Sequence, residues 1–510
     1  MKKNYKFGLF ALLVTTPLLV GSLIFASGTG KHVGTFKCVS TKNTYGSLKF
    51  PAELSSGLPC NVDMATVKGK SIPEKQRYFD IFSWQSFIAL SWPTEKKGTK
   101  LKKKFIDPGK PRWNYWKESY EIFLNKGATP AAWGNKTIPE QVCKNIKDTG
   151  SMKILYRTNK TINNSPKKRV ANELDQAFTY PLVDQNGNMV HYEVLLNYDQ
   201  FHYIFQNGLY NIDGQIAYSE KGKSANFPKG HNASLTTGAI ELKMAWKVLT
   251  PEDPHQRYYV EDALIAGPAR NCKKAKVGLI GVHFSHKTEY NKQWIWATFE
   301  HVDNVRVNRL KQVKLQNGKT ANLRPSFNNP DCPTCPVNVL NKDASGNYTP
   351  VQVTRVIPID KNTEQLNRQV QHILKKNNSV FQYYELVGSQ WPTDESIPPA
   401  DPSQFSSDKN TAYEQIANKA GGKPHPVYLV NSIMETFMQY GNQKAQLQIQ
   451  GFPFNETPVF GTESCIGCHY SAGIAVGYIH DGYGVKRAVY GPASSGDFSW
   501  LLQLKAKWKE

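Results

Sequence analysis

The chain of 510 residues is long enough to bury a sizeable core in two or three domains, and its 40% hydrophobic and 12% aromatic content excludes wholesale disorder. A mean hydropathy of −0.51 excludes a polytopic membrane protein. The net charge of +22, from 63 basic and 41 acidic residues, raises nucleic acid as a ligand, but no nucleic-acid motif is present and the lysines are scattered apart from Lys96-Lys97 and Lys102-Lys103-Lys104.

The N-terminus is a basic segment, Met1 to Lys6, followed by an uncharged run from Phe7 to Ala26, with small residues at Ala26 and Gly28. This is the pattern of a cleaved signal peptide. The run of 20 residues is also long enough to span a bilayer, so an uncleaved N-terminal anchor is the alternative. Either form exports the body of the protein, to the periplasm in a bacterium.

Residues 27–70 have loop composition. After Pro73, Phe79, Phe82, Ser83, Ser86, Phe87 and Leu90 recur at helical spacing and predict a helix closing at Trp92-Pro93, its aromatic stripe turned to the core. Pro111 to Phe123 predicts a second helical segment. Residues 124–170, polar and rich in Gly and Pro, read as a long excursion that Cys143 can tether.

From residue 181 the period changes. Pro181 to Tyr192 predicts two short strands around Asn186-Gly187, and a helix is expected over 195–207. Strands are expected over 238–250 and 258–265, followed by a clear pair, Val277 to His286 and Trp294 to His301. His283 and His286 stand three apart on a strand and project to opposite faces, so they do not chelate one ion together. They are read as structural, as is His301. A helix at 362–377 closes the first unit, and the Pro- and Ser-rich stretch from Trp391 to Ser407 marks a boundary. Tyr428 to Gln439, with Leu429, Ile433 and Phe437, predicts a further helix.

Near the end stands Cys465-Ile466-Gly467-Cys468-His469. Two cysteines separated by two residues can each bond one vinyl group of a porphyrin, and the adjacent histidine then reaches the iron, so this spacing is the attachment pattern of haem c. Random placement of 8 Cys and 12 His would give roughly 0.003 such runs in the chain. A zinc site would need further ligands close by, and the nearest other cysteine is Cys335. Cys332-Pro333-Thr334-Cys335 lacks the histidine and is expected to form structural disulfides rather than a redox-active pair. Six cysteines remain outside the haem run, enough for three disulfides in an oxidising compartment, with fifteen possible pairings.

No methionine follows His469. The sixth iron position therefore falls to Met434 or Met438, four apart on one predicted helical face, to His480, or to an exchangeable ligand. Methionine would raise the reduction potential relative to two histidines, and an open position would admit peroxide or another small molecule. The chain carries no dinucleotide-binding glycine pattern, phosphate loop, His-Glu-x-x-His or Gly-x-Ser-x-Gly.

Trp84-Gln85-Ser86-Phe87 with Ser91-Trp92-Pro93, Glu241 to Lys247, the stretch 278–304, Met434-Glu435-Thr436 and the haem run together resemble a family of large secreted bacterial proteins labelled cytochrome c family, across residues 75–475. The resemblance implies covalent haem, export and electron transfer, without a substrate, and only Cys465, Cys468 and His469 carry over as functional positions.

The expectation is a mixed α+β protein of helices and antiparallel sheet. Residues 1–26 form a signal peptide or anchor, 27–390 a large mixed unit, and 391–510 a mainly helical haem c unit. The expected function is electron transfer by one covalent haem, with an acidic redox partner or an anionic membrane surface suited to the basic chain. A peroxidase-like haem enzyme with an open sixth position and a haem-containing sensor are the alternatives.

Overall fold

The computed structural model describes residues 35–40, 48–95, 98–137, 143, 145–146, 152–155, 181–267, 271–306, 311–393, 424–426, 429–439, 448–449, 452–453, 465–470, 472–491 and 494–510. The N-terminal run of 1–26 and Lys96-Lys97 lie outside them. Residues 32–510 form one compact unit.

The architecture is mixed α+β around a nine-stranded sheet. Its strands are β1 (Lys117–Glu118), β2 (Lys153–Leu155), β3 (His191–Leu196), β4 (Ile240–Val248), β5 (Val260–Ala266), β6 (Cys272–His286), β7 (Ile295–His301), β8 (Tyr384–Pro392) and β9 (Pro424–His425). The main path runs β1-β3-β4-β6-β7-β8-β9, with β5 paired to the first half of β6 and β2 to β5. Every pairing is antiparallel except β2 with β5.

The expected helix after Pro73 is α1 (Ile72–Ser91), opened by a capping box between Ser71 and Glu74. Its predicted stripe is buried against one face of the sheet. Phe87 stacks on Phe299 at 4.4 Å, Phe79 stacks on Trp391 at 4.4 Å, and the Ser83 and Ser389 hydroxyls are 2.6 Å apart. Helix α4 (Lys361–Lys376) lies alongside, where the Trp84 indole donates to Asn367 Oδ1 at 2.8 Å. The same face carries Leu242, Met244, Val282, Phe284, Ile295 and Ala297 in one apolar cluster.

Asp80 of α1 is buried, accepting from Gln76 and Thr363 at 2.8 and 2.7 Å. Desolvation pushes its carboxyl up to about 6, against the hydrogen bonds from Thr363, Gln76 and Ser389. The folded state then holds this proton more tightly than the unfolded chain. Its stabilising contribution is fully present below the unfolded value of 3.8 and is lost as pH rises through about 6. His286 and His301, both pushed down to about 4 by burial, act in the opposite sense over an overlapping window. Asp80→Asn isolates the carboxylate: the stability difference between variant and parent should move in the variant's favour by about 2 kcal/mol from pH 4 to pH 6.5. Parallel unfolding midpoints across that window would refute the assignment.

Helices α2 (Tyr198–Gln206) and α3 (Ile212–Ser219) follow asparagine N-caps at Asn197 and Asn211. The Asn186-Gly187 turn is present with Gly187 at φ 80°, bridging Val183 to Met189. The predicted strands at 238–250, 258–265, 277–286 and 294–301 correspond to β4, β5, β6 and β7.

Three expectations are corrected. Residues 111–123 are not one helix but a 3₁₀ turn at Arg112–Tyr115, strand β1 and one helical turn at Ser119–Ile122, because Lys117 and Glu118 join the sheet beside β3. The excursion at 124–170 is tethered through Cys143 as expected, by the Cys143–Cys272 disulfide, and Asn145 exchanges hydrogen bonds of 2.9 and 2.8 Å with the Cys272 backbone; β2 lies within it. Residues 429–439 form turns and a short 3₁₀ segment at Thr436–Met438 rather than a helix. Here side chains occupy backbone groups that a helix would use: Asn431 Oδ1 accepts from the Ile433 and Met434 amides, and Glu435 Oε2 from the Asn431 amide.

The third correction concerns the expected mainly helical C-terminal unit, whose start at residue 391 falls inside β8. Beyond it the described residues are not mainly helical. They hold β9, a two-stranded pair at 448–449 and 452–453, helix α5 (Cys465–Tyr470), the hairpin β10 (Ala475–His480) with β11 (Lys486–Tyr490), and α6 (Trp500–Lys505). Helices α5 and α6 pack into one apolar cluster with α2 and α3, through Ile466, Leu501 and Leu502 beside Phe201, Ile204 and Ile212.

All six cysteines outside the Cys-x-x-Cys-His run are paired: Cys38–Cys60, Cys143–Cys272 and Cys332–Cys335. Cys143–Cys272 spans 129 residues and should contribute most. Replacing both cysteines with alanine is expected to cost about 2–5 kcal/mol and to increase exchange of the β2 amides. Unchanged hydrogen exchange in β2 would show that the pairing with β5 alone holds the excursion.

Candidate functional site

The second face of the sheet is polar. Cross-strand partners point the same way, so register defines two rows here: Leu196, Glu241, Ser285 and Trp296, then Val194, Lys243, His283 and Thr298. Residues 429–439, helix α5 and the turn before α6 close over this face, each attached to a named side chain of the rows or of β8.

Asn431 Nδ2 donates to Thr298 Oγ1 at 2.7 Å, and Ser432 Oγ donates to Glu300 Oε2 at 2.7 Å. Arg355 completes the Glu300 site at 2.6 Å. Glu435 Oε1 lies 2.6 Å from His283 Nε2. Burial alone would raise the Glu435 carboxyl, but His283 and Lys243 hold it below the usual carboxylate range. At β8, Gln390 takes the Ile466 amide at 2.9 Å and donates to the Pro426 carbonyl at 2.7 Å, which docks the first turn of α5.

The backbone is helical throughout Cys465–Tyr470. Positions i, i+3 and i+4 share a helical face, and these are the positions of Cys465, Cys468 and His469. Cys465 packs beside Ile359, Val387 and Leu429. None of the three disulfides uses Cys465 or Cys468.

His469 is held from two sides. Its ring lies 4.3 Å from the Trp296 ring, and its Nδ1 is 2.7 Å from the Phe498 carbonyl oxygen. A carbonyl only accepts, so Nδ1 carries the proton and Nε2 presents the lone pair. Burial pushes the imidazole down to about 4, against the Phe498 hydrogen bond, which favours the neutral ring.

The Phe498 carbonyl is aimed by a turn in which Asp497 and Phe498 both have positive φ, 50° and 65°. Such a conformation costs about 1–3 kcal/mol per residue and needs anchoring. The anchors are a buried ion pair between Asp497 and Lys287, an Asp497 contact with the Phe227 amide at 2.5 Å, and a Ser499 hydrogen bond to Glu241 at 2.9 Å.

The other sequence candidates lie elsewhere. Met434 is fully buried with Tyr192, Ala245 and Ile280, and its Sδ lies 3.3 Å from where a Cβ on Gly281 would stand. The glycine admits the sulfur to the sheet, which is a packing role. Met438 is in the 3₁₀ segment, and its side chain lies outside the description. His480 ends β10, exposed, with its ring edge-on to Tyr478 at 5.6 Å. His286 faces α1, bonded to the Thr237 carbonyl at 2.6 Å, so it and His283 do point to opposite faces. His301 is buried and bonded to the Arg257 carbonyl at 2.8 Å.

Sequence reasoning passed over Trp296, Phe498, Glu435 and His283 as parts of one site. Alternation along β6 and β7 was the available signal for His283 and Trp296 sharing a face. Nothing local marks a carbonyl 29 residues after His469 as its partner. Among the described residues no group of three or more His, Cys, Asp or Glu side chains could hold a metal ion, and no helix is long and apolar enough to cross a membrane. The chain matches no protein-family model, no curated protein and no solved structure.

Proposed function

We propose that the protein is an exported c-type cytochrome that carries one covalent haem and transfers single electrons. The observation that supports it is the Cys-x-x-Cys-His run on one helix, with the Nδ1 of its histidine taken by a backbone carbonyl and Nε2 left as the ligating nitrogen. A metal-binding histidine is ordinarily oriented in this way by a hydrogen bond from its second nitrogen.

Bound haem supplies a one-electron iron couple. The chain's own residues do the rest. Cys465 and Cys468 are the anchors, His469 is the proximal ligand, Phe498 fixes its tautomer, and Trp296 limits its rotation.

Export is supported by the basic and then uncharged N-terminus and is compatible with the three disulfides. The periplasm is the proposed compartment, with the segment 1–26 either removed or kept as an anchor. The charge of +22 suits an acidic redox partner, whose association would weaken with salt.

The test is expression with haem-attachment machinery, followed by acid–acetone extraction and a reduced-minus-oxidised spectrum. Haem retained by the denatured chain at one per molecule, with a reversible couple, is the expected result. A chain that releases all its haem, or binds none, sinks the reading.

A further inference from the structure

We propose that His283 is the sixth ligand of the haem iron, carried on β6 and oriented by Glu435; this rests on the cytochrome reading above. The placement follows from register. Ser285 pairs with Trp296, whose ring contacts the His469 ring at 4.3 Å. His283 is two residues from Ser285, on the same face. It therefore stands ~7 Å along the strand from the row on which the proximal histidine rests, at about 3.4 Å per residue.

Met434 sits over Gly281, two residues further again, or ~14 Å from that row, with its sulfur enclosed in an apolar cluster. His480 is exposed at the end of a separate hairpin. Along β6, His283 therefore stands closer to the Trp296 row than Met434 does.

Its chemistry also fits a ligand. The His283 ring is bonded through Nε2 to Glu435 at 2.6 Å, so in the neutral ring, the form that ligates, Nδ1 is the nitrogen with a lone pair. A carboxylate behind an imidazole fixes its tautomer and raises its basicity, the usual support of a metal-bound histidine. Glu435 is itself fixed by the Asn431 amide at 2.8 Å, and Asn431 is fixed by Thr298 at 2.7 Å. The support thus returns to the same sheet that carries His283. The side chains of His283 and Glu435 are 20% and 17% exposed, so the pair is not sealed in the core.

The two histidines come from different parts of the fold, one from the strand β6 and one from the helix α5. Coordination by both would tie the C-terminal helix to the sheet across the polar face. Two imidazoles also predict a lower reduction potential than a histidine–methionine pair.

The experiment compares the intact holoprotein with His283→Ala and Glu435→Gln by electron paramagnetic resonance, carbon monoxide binding and potentiometry. The parent should be low-spin and indifferent to carbon monoxide. His283→Ala should keep its haem covalently attached, become high-spin, bind carbon monoxide, and return to low-spin with added imidazole. Glu435→Gln should remain low-spin with a raised potential, and it serves as the second variant should His283→Ala not accumulate. A low-spin, unresponsive His283→Ala overturns the assignment, as does an unchanged potential in Glu435→Gln. A parent that is already high-spin overturns it too and favours an enzyme with an open position. Absence of covalent haem in the parent overturns the cytochrome reading, and this one with it.

Discussion

Cys465→Ala with Cys468→Ala is expected to leave no covalently bound haem, with at least a tenfold fall in haem retained after acid–acetone extraction. On the proposed reading each cysteine would supply one thioether, so removal of both would leave only coordination by His469, which acid breaks. The single variants should each keep one bond and show a shifted spectrum. The apoprotein should still fold, because the three disulfides and the sheet core do not involve these two residues. Circular dichroism alongside the extraction separates the outcomes. Haem retained by the folded double variant would place the attachment elsewhere and refute the assignment of the run.

The second large effect lies away from that site. Lys153 of β2 and Glu193 of β3 form a buried pair, with Lys153 Nζ 2.6 and 2.7 Å from the two carboxylate oxygens. Their side chains are only 9% and 3% exposed. The Trp246 indole donates to the same carboxylate at 2.9 Å. Glu193→Ala would leave an ammonium and an indole N–H without this acceptor, inside the protein. The expected loss is about 3–5 kcal/mol, read from the midpoint of denaturant unfolding. Lys153→Met combined with Glu193→Leu removes both charges and should recover most of that loss, because a buried pair contributes little net stability over apolar residues of similar size. A loss below about 1 kcal/mol in Glu193→Ala would mean that Glu261, which also lies near Lys153, takes over the role.

The two results bear on separate parts of the molecule. The buried pair holds the short parallel strand to the body of the sheet, whereas the Cys-x-x-Cys-His run lies on helix α5 against the other face. A variant that lost covalent haem while keeping the Lys153–Glu193 stability would show that attachment and folding are separable.

Much of the architecture was readable from periodicity because each element obeyed its own local pattern. α1 combined an aromatic stripe with a Ser-Ile-Pro-Glu start, and β4, β6 and β7 are long and rich in apolar and β-branched residues. The Cys-x-x-Cys-His run was readable for a different reason: the attachment it is proposed to make would need a fixed spacing of adjacent residues, and that spacing is written in the chain. The failures have a common cause. Tyr428 to Gln439 has helical periodicity, but Asn431 and Glu435 use their side chains on nearby amides, and Asn431 and Ser432 also reach Thr298 and Glu300, more than a hundred residues away. Lys117 and Glu118 look helical until β3 is present to pair with them.

The sequence by itself determined the cysteine spacing, the histidine beside it, the export-like start and the helices and strands whose side-chain periods match their burial. Tertiary structure alone decided that Phe498 orients His469, that Trp296 lies against its ring, and that His283 with Glu435 shares their face of the sheet. The physical reason is that a local pattern states which face a side chain occupies, whereas pairing register and chain closure state what that face meets. Here the register of β6 against β7 brings His283 and Trp296 to one surface, and a strained turn fastened by Asp497 and Lys287 carries the Phe498 carbonyl to it.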